Sequence, residues 1–178
     1  MHAGLSSVSI LRFHGHTGDH AAPWPTPVEL ALDFKEAPFQ SMPQPMSQLK
    51  TYIVEDSPVI RESLIATLEE LVPVNVVGTA EDESTAVQWL AQPENQCDLV
   101  IVDIFLKGGS GLGVLRAANE MPRRYTMVVL SNYATKDVRR KCLELGADRV
   151  FDKSNEIEAL ILYCGRLAAG ETGAGVLA

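Results

Sequence analysis

Beyond residue 48 the sequence alternates between short apolar segments and longer segments of helical periodicity, and no other feature restricts its fold as strongly. The predicted strands are LKTYIV (49–54), VNVVGTA, DLVIVD, YTMVVLS and RVFDK. The helices that follow them begin at SPVIRESL, ESTAVQWL, SGLGVLRA, TKDVRRKC and NEIEALIL. Five consecutive βα units predict a five-stranded parallel sheet with helices on both faces, which is a doubly wound α/β fold.

Capping residues and apolar spacing refine this assignment. In the first helix (57–72), Ser57 is placed as the N-cap and Pro58 as the first helical residue. Gly146 fits the position that follows the end of the fourth helix. The residues expected to form the buried face of the first helix are Ile60, Leu64, Leu68 and Leu71.

The two ends of the chain differ in composition from the region between them. Residues 1–48 contain most of the prolines and no sustained periodicity, so they predict an unstructured leader with a short helix at Val28–Lys35. Because Met42 and Met46 stand next to the first strand, a start codon downstream of the first methionine also explains this leader. Residues 170–178 predict a flexible tail.

Charge, cysteines and histidines exclude several functional classes. The net charge of −8 argues against a general affinity for nucleic acid or anionic membranes, and no run approaches the roughly 18 apolar residues needed to cross a bilayer. Three widely spaced cysteines form no metal or redox motif, are expected to be buried, and suit the cytoplasm. The HGHTGDH segment could be a metal site, but a solvated tail explains it equally well. The four histidines all lie in the leader: His2, His14, His16 and His20.

Polar residues stand where the predicted strands end. Right-handed crossovers bring the carboxyl ends of parallel strands to one edge, where doubly wound folds bind their ligands. The residues at these ends are Glu55 and Asp56 after the first strand, Asp103 after the third, Ser131 in the fourth and Lys153 after the fifth. A charge beside a buried strand is costly unless it is paired with an opposite charge or binds a ligand. The sequence therefore predicts a polar site at this edge.

These residue types favour metal-assisted phosphoryl transfer. Three neighbouring carboxylates raise one another's pKa values unless a cation joins them, and Mg²⁺ prefers carboxylate, water and phosphate oxygens. The carboxylate of Asp103 can attack phosphorus and form an acyl phosphate. Lys153 can supply positive charge to the phosphoryl oxygens, and the hydroxyl of Ser131 can donate a hydrogen bond to one of them.

The segments YIVEDSP, LVIVDIFLKGGSG, VVLSNYA and GADRVFDKS resemble, in order and spacing, the receiver domain of two-component response regulators. The resemblance extends from about Leu49 to Ala168, so we expect a receiver domain at 49–169 with a flavodoxin-like (βα)5 fold. It implies Asp103 as the phospho-acceptor, Ser131 as the switch hydroxyl and Lys153 as the phosphoryl contact. It also implies four Mg²⁺ ligands: Glu55, Asp56, Asp103 and the backbone carbonyl of Phe105.

Three positions depart from the commonest pattern of that family. Lys107 and Ser154 stand where proline is usual, so the loop after the third strand is expected to differ slightly and a cis-proline constraint is absent. Val150 replaces an aromatic residue that swings inward with the switch hydroxyl, and Phe151 should point to the opposite face of the strand. The switch is then expected to depend on the loop SNYA, where Tyr133 is the nearest aromatic residue.

Other functional classes fit less well. A haloacid-dehalogenase-type phosphatase needs a second aspartate where Phe105 stands, and an FMN binder needs glycines and hydroxyls where EDSP offers carboxylates. Asp103 as a plain loop or helix-capping residue leaves the other polar strand ends unexplained. The main alternative is a phosphorylation-independent adaptor that uses the same fold. We expect no enzymatic activity beyond self-phosphorylation from a donor and autodephosphorylation.

Partners follow from what the folded region contains. It has no histidine, so the phosphoryl group must come from elsewhere; the resemblance implies a histidine kinase or histidine phosphotransfer protein, docking beside the first helix near Ile65 and Val72. Only GETGAGVLA follows the last helix, which predicts a stand-alone receiver acting on another protein through its fourth helix, fifth strand and fifth helix. Homodimer formation on phosphorylation is a further option. The basic residues Arg139–Lys141 predict a solvated or partner-facing surface and not a DNA reader.

Overall fold

The computed structural model describes residues 48–122 and 125–171. Its ten elements follow the predicted order, with bounds that differ from the predicted ones by one or two residues at most ends. They are β1 (Leu49–Val54), α1 (Pro58–Leu71), β2 (Val74–Ala80), α2 (Glu83–Ala91), β3 (Leu99–Val102), α3 (Gly111–Glu120), β4 (Thr126–Ser131), α4 (Lys136–Glu144), β5 (Arg149–Asp152) and α5 (Ile157–Ala168). The leader up to residue 47, with its histidines and predicted short helix, and the tail from residue 172 lie outside the described residues.

The five strands form one parallel sheet in the order β2-β1-β3-β4-β5. This confirms the predicted α/β architecture and places β1, β3 and β4, the strands with the most continuous apolar sequence, in the interior. The chain leaves β1 towards β2 on one side and returns through β3 towards β4 on the other. The loops after β1 and β3 therefore diverge, and a crevice opens where ligands bind in doubly wound folds.

Two apolar cores lie on opposite faces of the sheet, because successive side chains of a strand point to opposite sides. One core joins the sheet to α2, α3 and α4, and the other joins it to α1 and α5. Val150 belongs to the first core and Phe151 to the second, which confirms the prediction that they face opposite ways. The three cysteines are free and buried in these cores, as expected. Within the described part of the chain, no helix has both the length and the apolar character to span a bilayer.

The predicted buried face of α1 is only half right. Leu64 and Leu68 are buried, but Ile60 is 40% exposed and Leu71 is 58% exposed. Both the predicted stripe and the observed one pass through Leu64 and Leu68. Helical periodicity alone could not decide which of the two helix sides next to Leu64 and Leu68 faces the sheet.

The other flank of α1 supplies the remaining contacts with the core. Ile65 and Val72 are partly buried and pack against the core shared by α1 and α5. The prediction that these two residues form an exposed docking patch is therefore wrong. The exposed apolar residues of α1 are instead Val59 and Ile60 at its first turn and Leu71 at its end.

The predicted start of α1 and the predicted end of α4 are both confirmed. Ser57 occupies the N-cap of α1 with Pro58 next to it, but the Ser57 side chain makes no capping hydrogen bond. The Ser57 backbone N–H instead donates to Glu55 Oε1 at 3.2 Å. Gly146 follows the end of α4 with a φ of +100°, a conformation that favours glycine.

The loop between β3 and α3 folds back on the end of β3. The Gly111 N–H donates to the Ile104 carbonyl at 2.9 Å, and Glu83 of α2 accepts a hydrogen bond from the Ser110 N–H at 2.8 Å. A Cβ atom on Gly111 would lie 2.0 Å from the carbonyl oxygen of Asp103. Only glycine allows the backbone to approach this closely.

We therefore expect Gly111→Ala to lower the free energy of unfolding by about 1–3 kcal/mol or more, because the backbone of Asp103 must move to make room. Urea denaturation measures this change. The matched control is Gly165→Ala in α5, where the added Cβ would lie 3.4 Å from Val72 Cγ1 and alanine favours the helix by about 1 kcal/mol. A Gly111→Ala protein as stable as the wild type would contradict the observed loop.

Candidate functional site

One ammonium group joins three strand ends at the carboxyl edge of the sheet. Lys153 Nζ, after β5, donates to Glu55 Oε2 after β1 at 2.5 Å and to Asp103 Oδ2 after β3 at 2.7 Å. The side chains of Lys153, Glu55 and Asp103 are only 8%, 4% and 10% exposed. The structure thus brings together three of the predicted site residues in one nearly dry cluster.

Backbone hydrogen bonds hold these three residues in register. Each is the first residue beyond its strand, and each still donates its N–H to a neighbouring strand. The Asp103 N–H donates to the Val54 carbonyl at 2.9 Å, and the Glu55 N–H donates to the carbonyl of Ala80, the last residue of β2, at 3.0 Å. The Lys153 N–H donates to the Ser131 carbonyl at 3.2 Å. The sheet ladder therefore fixes where the charged side chains begin.

The cluster combines one ammonium group with two carboxylates. Burial lowers the pKa of Lys153, but its hydrogen bonds with Asp103 and Glu55, together with their charges, outweigh burial and raise that pKa above its ordinary value of 10.5. Lys153 therefore stays protonated at neutral pH. Two carboxylates share this single ammonium, so the cluster contains more acidic groups than basic ones.

Asp56 lies beside the cluster and is partly exposed. Its carboxylate makes no hydrogen bond or ion pair with any residue that the structure describes. Among residues 48–122 and 125–171, no three His, Cys, Asp or Glu side chains are grouped as a ready metal site. The joint action of Glu55, Asp56 and Asp103 as ligands therefore stays a prediction.

Two cationic side chains hold the backbone of the loop that carries Glu55 and Asp56. Arg61, in α1, donates from Nη1 to the Glu55 carbonyl at 2.8 Å and pairs through Nη2 with Glu81 at 3.0 Å. Lys107, in the β3–α3 loop, donates from Nζ to the Asp56 carbonyl at 2.9 Å. Arg61 was not identified from the sequence. Its position one turn into the helix that follows Glu55 and Asp56 was the feature that could have indicated it. Lys107 was noted only as a departure from the family pattern.

Ser131, the last residue of β4, is fully buried. Its Oγ atom has no hydrogen-bond partner among the described residues. A buried hydroxyl without a partner costs about 1–3 kcal/mol, so its retention needs an explanation. A ligand that reaches the carboxyl edge of the sheet would provide the missing partner.

Two aromatic residues stand two positions after Asp103 and Ser131. Phe105 and Tyr133 are both exposed, and their rings meet edge to face with centroids 4.9 Å apart and an interplanar angle of 64°. The Phe105 N–H lies 3.4 Å from Asp103 Oδ1, a long hydrogen bond. Asp103 Oδ1 is thus held less firmly than Oδ2, which Lys153 binds.

The basic segment of α4 is not uniform. Within the described part of the chain, Arg140 and Lys141 are exposed and pair only with Asp137 and Glu144 of their own helix, as expected for a solvated face. Arg139 is different: its side chain is 33% exposed and forms hydrogen bonds with three other segments. The prediction of a solvated side chain is wrong for Arg139, and a partner-facing role of this segment stays a prediction.

The sequence of residues 51–164 matches the family described as the response regulator receiver domain. The chain belongs to the response regulator receiver family.

Curated relatives share this receiver domain within longer chains. A protein-glutamate methylesterase/protein-glutamine glutaminase of Myxococcus xanthus is 30% identical over 137 residues, which cover 75% of this chain and 39% of the relative. The phosphate regulon transcriptional regulatory protein PhoB of Escherichia coli is 34% identical over 105 residues, which cover 57% of this chain and 43% of PhoB. The chain therefore spans less than half the length of these relatives.

Solved receiver structures have the same fold. The signal receiver domain of a NarL response regulator from Mycobacterium tuberculosis superposes with a TM-score of 0.62 at 21% identity, covering 70% of this chain and 98% of that one. The phosphorylated cyanobacterial phytochrome response regulator RcpA gives a TM-score of 0.58 at 24% identity, covering 73% and 98%. These similarities confirm the flavodoxin-like fold of the receiver domain.

The Lys153 cluster makes the stability of the receiver domain depend on one cation. Lys153→Met would leave the carboxylates of Glu55 and Asp103 buried without a cationic partner, so we expect the free energy of unfolding in EDTA at neutral pH to fall by about 3–5 kcal/mol. Urea denaturation measures this, and Lys136→Met, at an exposed lysine of α4, should change it by less than about 0.5 kcal/mol.

The difference in stability between the wild type and Lys153→Met should also depend on pH. Because the folded pKa of Lys153 is raised, its contribution is fully present below the unfolded pKa of about 10.5 and is lost as pH rises through the folded pKa. The difference between wild type and Lys153→Met should therefore stay constant at neutral pH and decrease only in alkali. Equal stability of the two proteins at pH 7 would show that the cluster does not hold the strand ends together.

Proposed function

We propose that this receiver domain accepts a phosphoryl group on Asp103 from a phosphohistidine of a partner protein, and that phosphorylation changes a surface that other proteins bind. The observation that carries this proposal is the buried Asp103 carboxylate, bound through Oδ2 by Lys153. The neighbouring strand β4 ends at Ser131, whose hydroxyl has no partner among the residues that the structure describes. A merely structural carboxylate would need the ammonium but not the buried free hydroxyl.

The hydrogen bonds of Asp103 favour one of its oxygens as the nucleophile. Oδ2 accepts from Lys153, whereas the one contact of Oδ1 with a described residue is the long hydrogen bond from the Phe105 N–H. We assign the attack on phosphorus to Oδ1. A new bond forms between Oδ1 and phosphorus while the bond from phosphorus to the donor nitrogen breaks, and the freed imidazole retains the electron pair. The product is an aspartyl phosphate.

Lys153 and Ser131 supply the contacts that the new phosphoryl group needs. An ammonium has three N–H donors, and Lys153 uses one for Glu55 and one for Asp103, so a third remains for a phosphoryl oxygen. The hydroxyl of Ser131 can donate to another phosphoryl oxygen and so gain its missing partner. Both contacts become charge-assisted hydrogen bonds, the stronger kind.

The donor atoms at the site fit Mg²⁺. Glu55 and Asp103 share one ammonium, the Asp56 carboxylate has no partner among the described residues, and Mg²⁺ usually takes one or two carboxylates plus water and phosphate oxygens. We propose Glu55, Asp56, Asp103 and the Phe105 carbonyl as the residues that hold it. When bound, Mg²⁺ neutralises the charge of the transferring phosphoryl group.

The phosphoryl donor is proposed to dock over α1. An open groove of about 400 Å³ runs beside this helix and is lined by Val59, Ile60, Asn132, Lys153 and Ile157. It leads from an exposed apolar surface to the ammonium that binds Asp103. We propose as donor a separate histidine kinase or histidine phosphotransfer protein, or a small acyl phosphate; the described residues contain no histidine.

The identity of the acceptor is tested with acetyl phosphate and Mg²⁺. Intact-mass measurement should show one added phosphoryl group on the wild type, lost in hydroxylamine as an acyl phosphate would be. Asp103→Asn removes the nucleophile while keeping the side-chain shape, so labelling should fall to background. The control is Asp137→Asn, at an exposed aspartate of α4, which should label like the wild type. Full labelling of Asp103→Asn would move the chemistry elsewhere, and an unlabelled wild type would favour a phosphorylation-independent adaptor.

Asp56→Ala tests the proposed metal ligands separately from the acceptor. We expect calorimetry to show a fall in Mg²⁺ affinity of at least about tenfold. Labelling by acetyl phosphate should be slow at low Mg²⁺ and recover when Mg²⁺ is raised, because Asp103 is intact. Asp137→Ala serves as the control of equal charge change. Unchanged Mg²⁺ affinity in Asp56→Ala would remove Asp56 from the site without affecting the role of Asp103.

A further inference from the structure

A single guanidinium in α4 is bonded to three separate segments of the receiver domain. Arg139 Nε donates to the Ala134 carbonyl in the β4–α4 loop at 2.9 Å. Nη1 donates to the Val150 carbonyl in β5 at 2.5 Å, and Nη2 donates to Glu156 Oε2 at the start of α5 at 2.5 Å. No one of these acceptors lies in α4 itself, so Arg139 fixes the position of this helix against its three neighbours.

The partner at the start of α5 is itself firmly held. Glu156 Oε2 also accepts a hydrogen bond from the Asp152 N–H at 2.6 Å, and the Glu156 N–H donates to the Asp152 carbonyl at 2.9 Å. The hydrogen bond from Arg139 lowers the pKa of Glu156, so the ion pair persists at neutral pH. Glu156 thus closes the loop that begins with Asp152 and Lys153.

Both ends of this network lie next to residues of the candidate site. Ala134 is three positions after Ser131, and Val150 is three positions before Lys153. If Ser131 moves to bind a phosphoryl oxygen, the loop that follows it must move, and the carbonyl of Ala134 with it. Because that carbonyl accepts a hydrogen bond from Arg139, this side chain also carries the movement to β5 and α5.

An aromatic side chain does not make this connection among the described residues. Val150 is buried in the core that also contains Cys142 of α4, and Phe151 packs on the other face of the sheet near Tyr163, with ring centroids 5.9 Å apart. Tyr133 is exposed and meets Phe105. Arg139 instead joins the β4–α4 loop to β5 through hydrogen bonds to the carbonyls of Ala134 and Val150.

We propose that Arg139 is the positioning residue that transmits phosphorylation of Asp103 from Ser131 to α4, β5 and α5. This inference rests on the proposed phosphorylation and adds the route by which the surface responds. Loss of Arg139 should leave transfer to Asp103 intact and uncouple α4 from the site.

The test measures labelling and response in the same full-length proteins. Labelling is the mass gain from acetyl phosphate, and response is the change in hydrogen exchange of residues 132–145 when beryllofluoride, a phosphoryl mimic, is added with Mg²⁺. Arg139→Met removes the donors but keeps the aliphatic stem, Arg139→Lys keeps the charge, and Glu156→Gln weakens one bond. Arg140→Met is the matched control, since Arg140 is 70% exposed and its partners among the described residues all lie in α4.

We expect beryllofluoride to change the exchange of this segment by about fivefold or more in the wild type and in Arg140→Met. Arg139→Met should label within about twofold of the wild type and lose most of the exchange response, with partial recovery in Arg139→Lys and an intermediate response in Glu156→Gln. A full response in both Arg139→Met and Glu156→Gln would overturn the inference, as would a labelled wild type without any response. An unlabelled wild type would instead overturn the proposed function.

Discussion

The buried contact of Lys153 with Glu55 and Asp103 is the constraint on which the rest of the structure depends. Three charged side chains are removed from water at the edge of the sheet, and such groups are tolerated only when their partners are placed accurately. The three residues come from strands that are distant in sequence. Only the parallel register of β1, β3 and β5, with β4 between the last two, brings them to one point. The site can therefore form only when the strands have assembled into this sheet.

The loops around the site are fixed by contacts that leave the acidic side chains free. Arg61 and Lys107 bind the backbone carbonyls of Glu55 and Asp56, so they hold the loop without neutralising its carboxylates. On the other side, Glu83 holds the glycine-rich loop through the Ser110 N–H. Positive charge at the rim of the site thus serves for positioning, and Lys153 is the one cation at the centre among the described residues.

The parts of the structure that could be predicted from sequence are those set by neighbouring residues. Glu55, Asp103 and Lys153 each follow a strand directly, so a parallel sheet had to bring them to the same edge. The flank of α1 that faces the sheet could not be predicted, because residues on both flanks repeat at helical spacing around Leu64 and Leu68. The decision between Ile60 and Ile65 comes from packing against the sheet and α5.

Arg139 shows a second limit of reasoning from sequence. A cluster of basic residues on a helix predicts a solvated surface, and two of its three members are solvated. The acceptors of the third lie 5, 11 and 17 residues away, in a loop, a strand and the start of another helix. No periodicity connects these positions. Only the completed fold brings them within reach of one guanidinium.

The two residues proposed to contact the phosphoryl group are already joined through the backbone. The Lys153 N–H donates to the Ser131 carbonyl, so the ends of β4 and β5 cannot move independently. Arg139 adds a second connection farther from the site, between the loop after Ser131 and the strand before Lys153. A shift of Ser131 towards a phosphoryl oxygen must then either stretch both connections or carry β5 and the start of α5 with it. The closed arrangement of these hydrogen bonds favours the second outcome, because breaking a charge-assisted hydrogen bond costs more than a small movement of two segments that it already links.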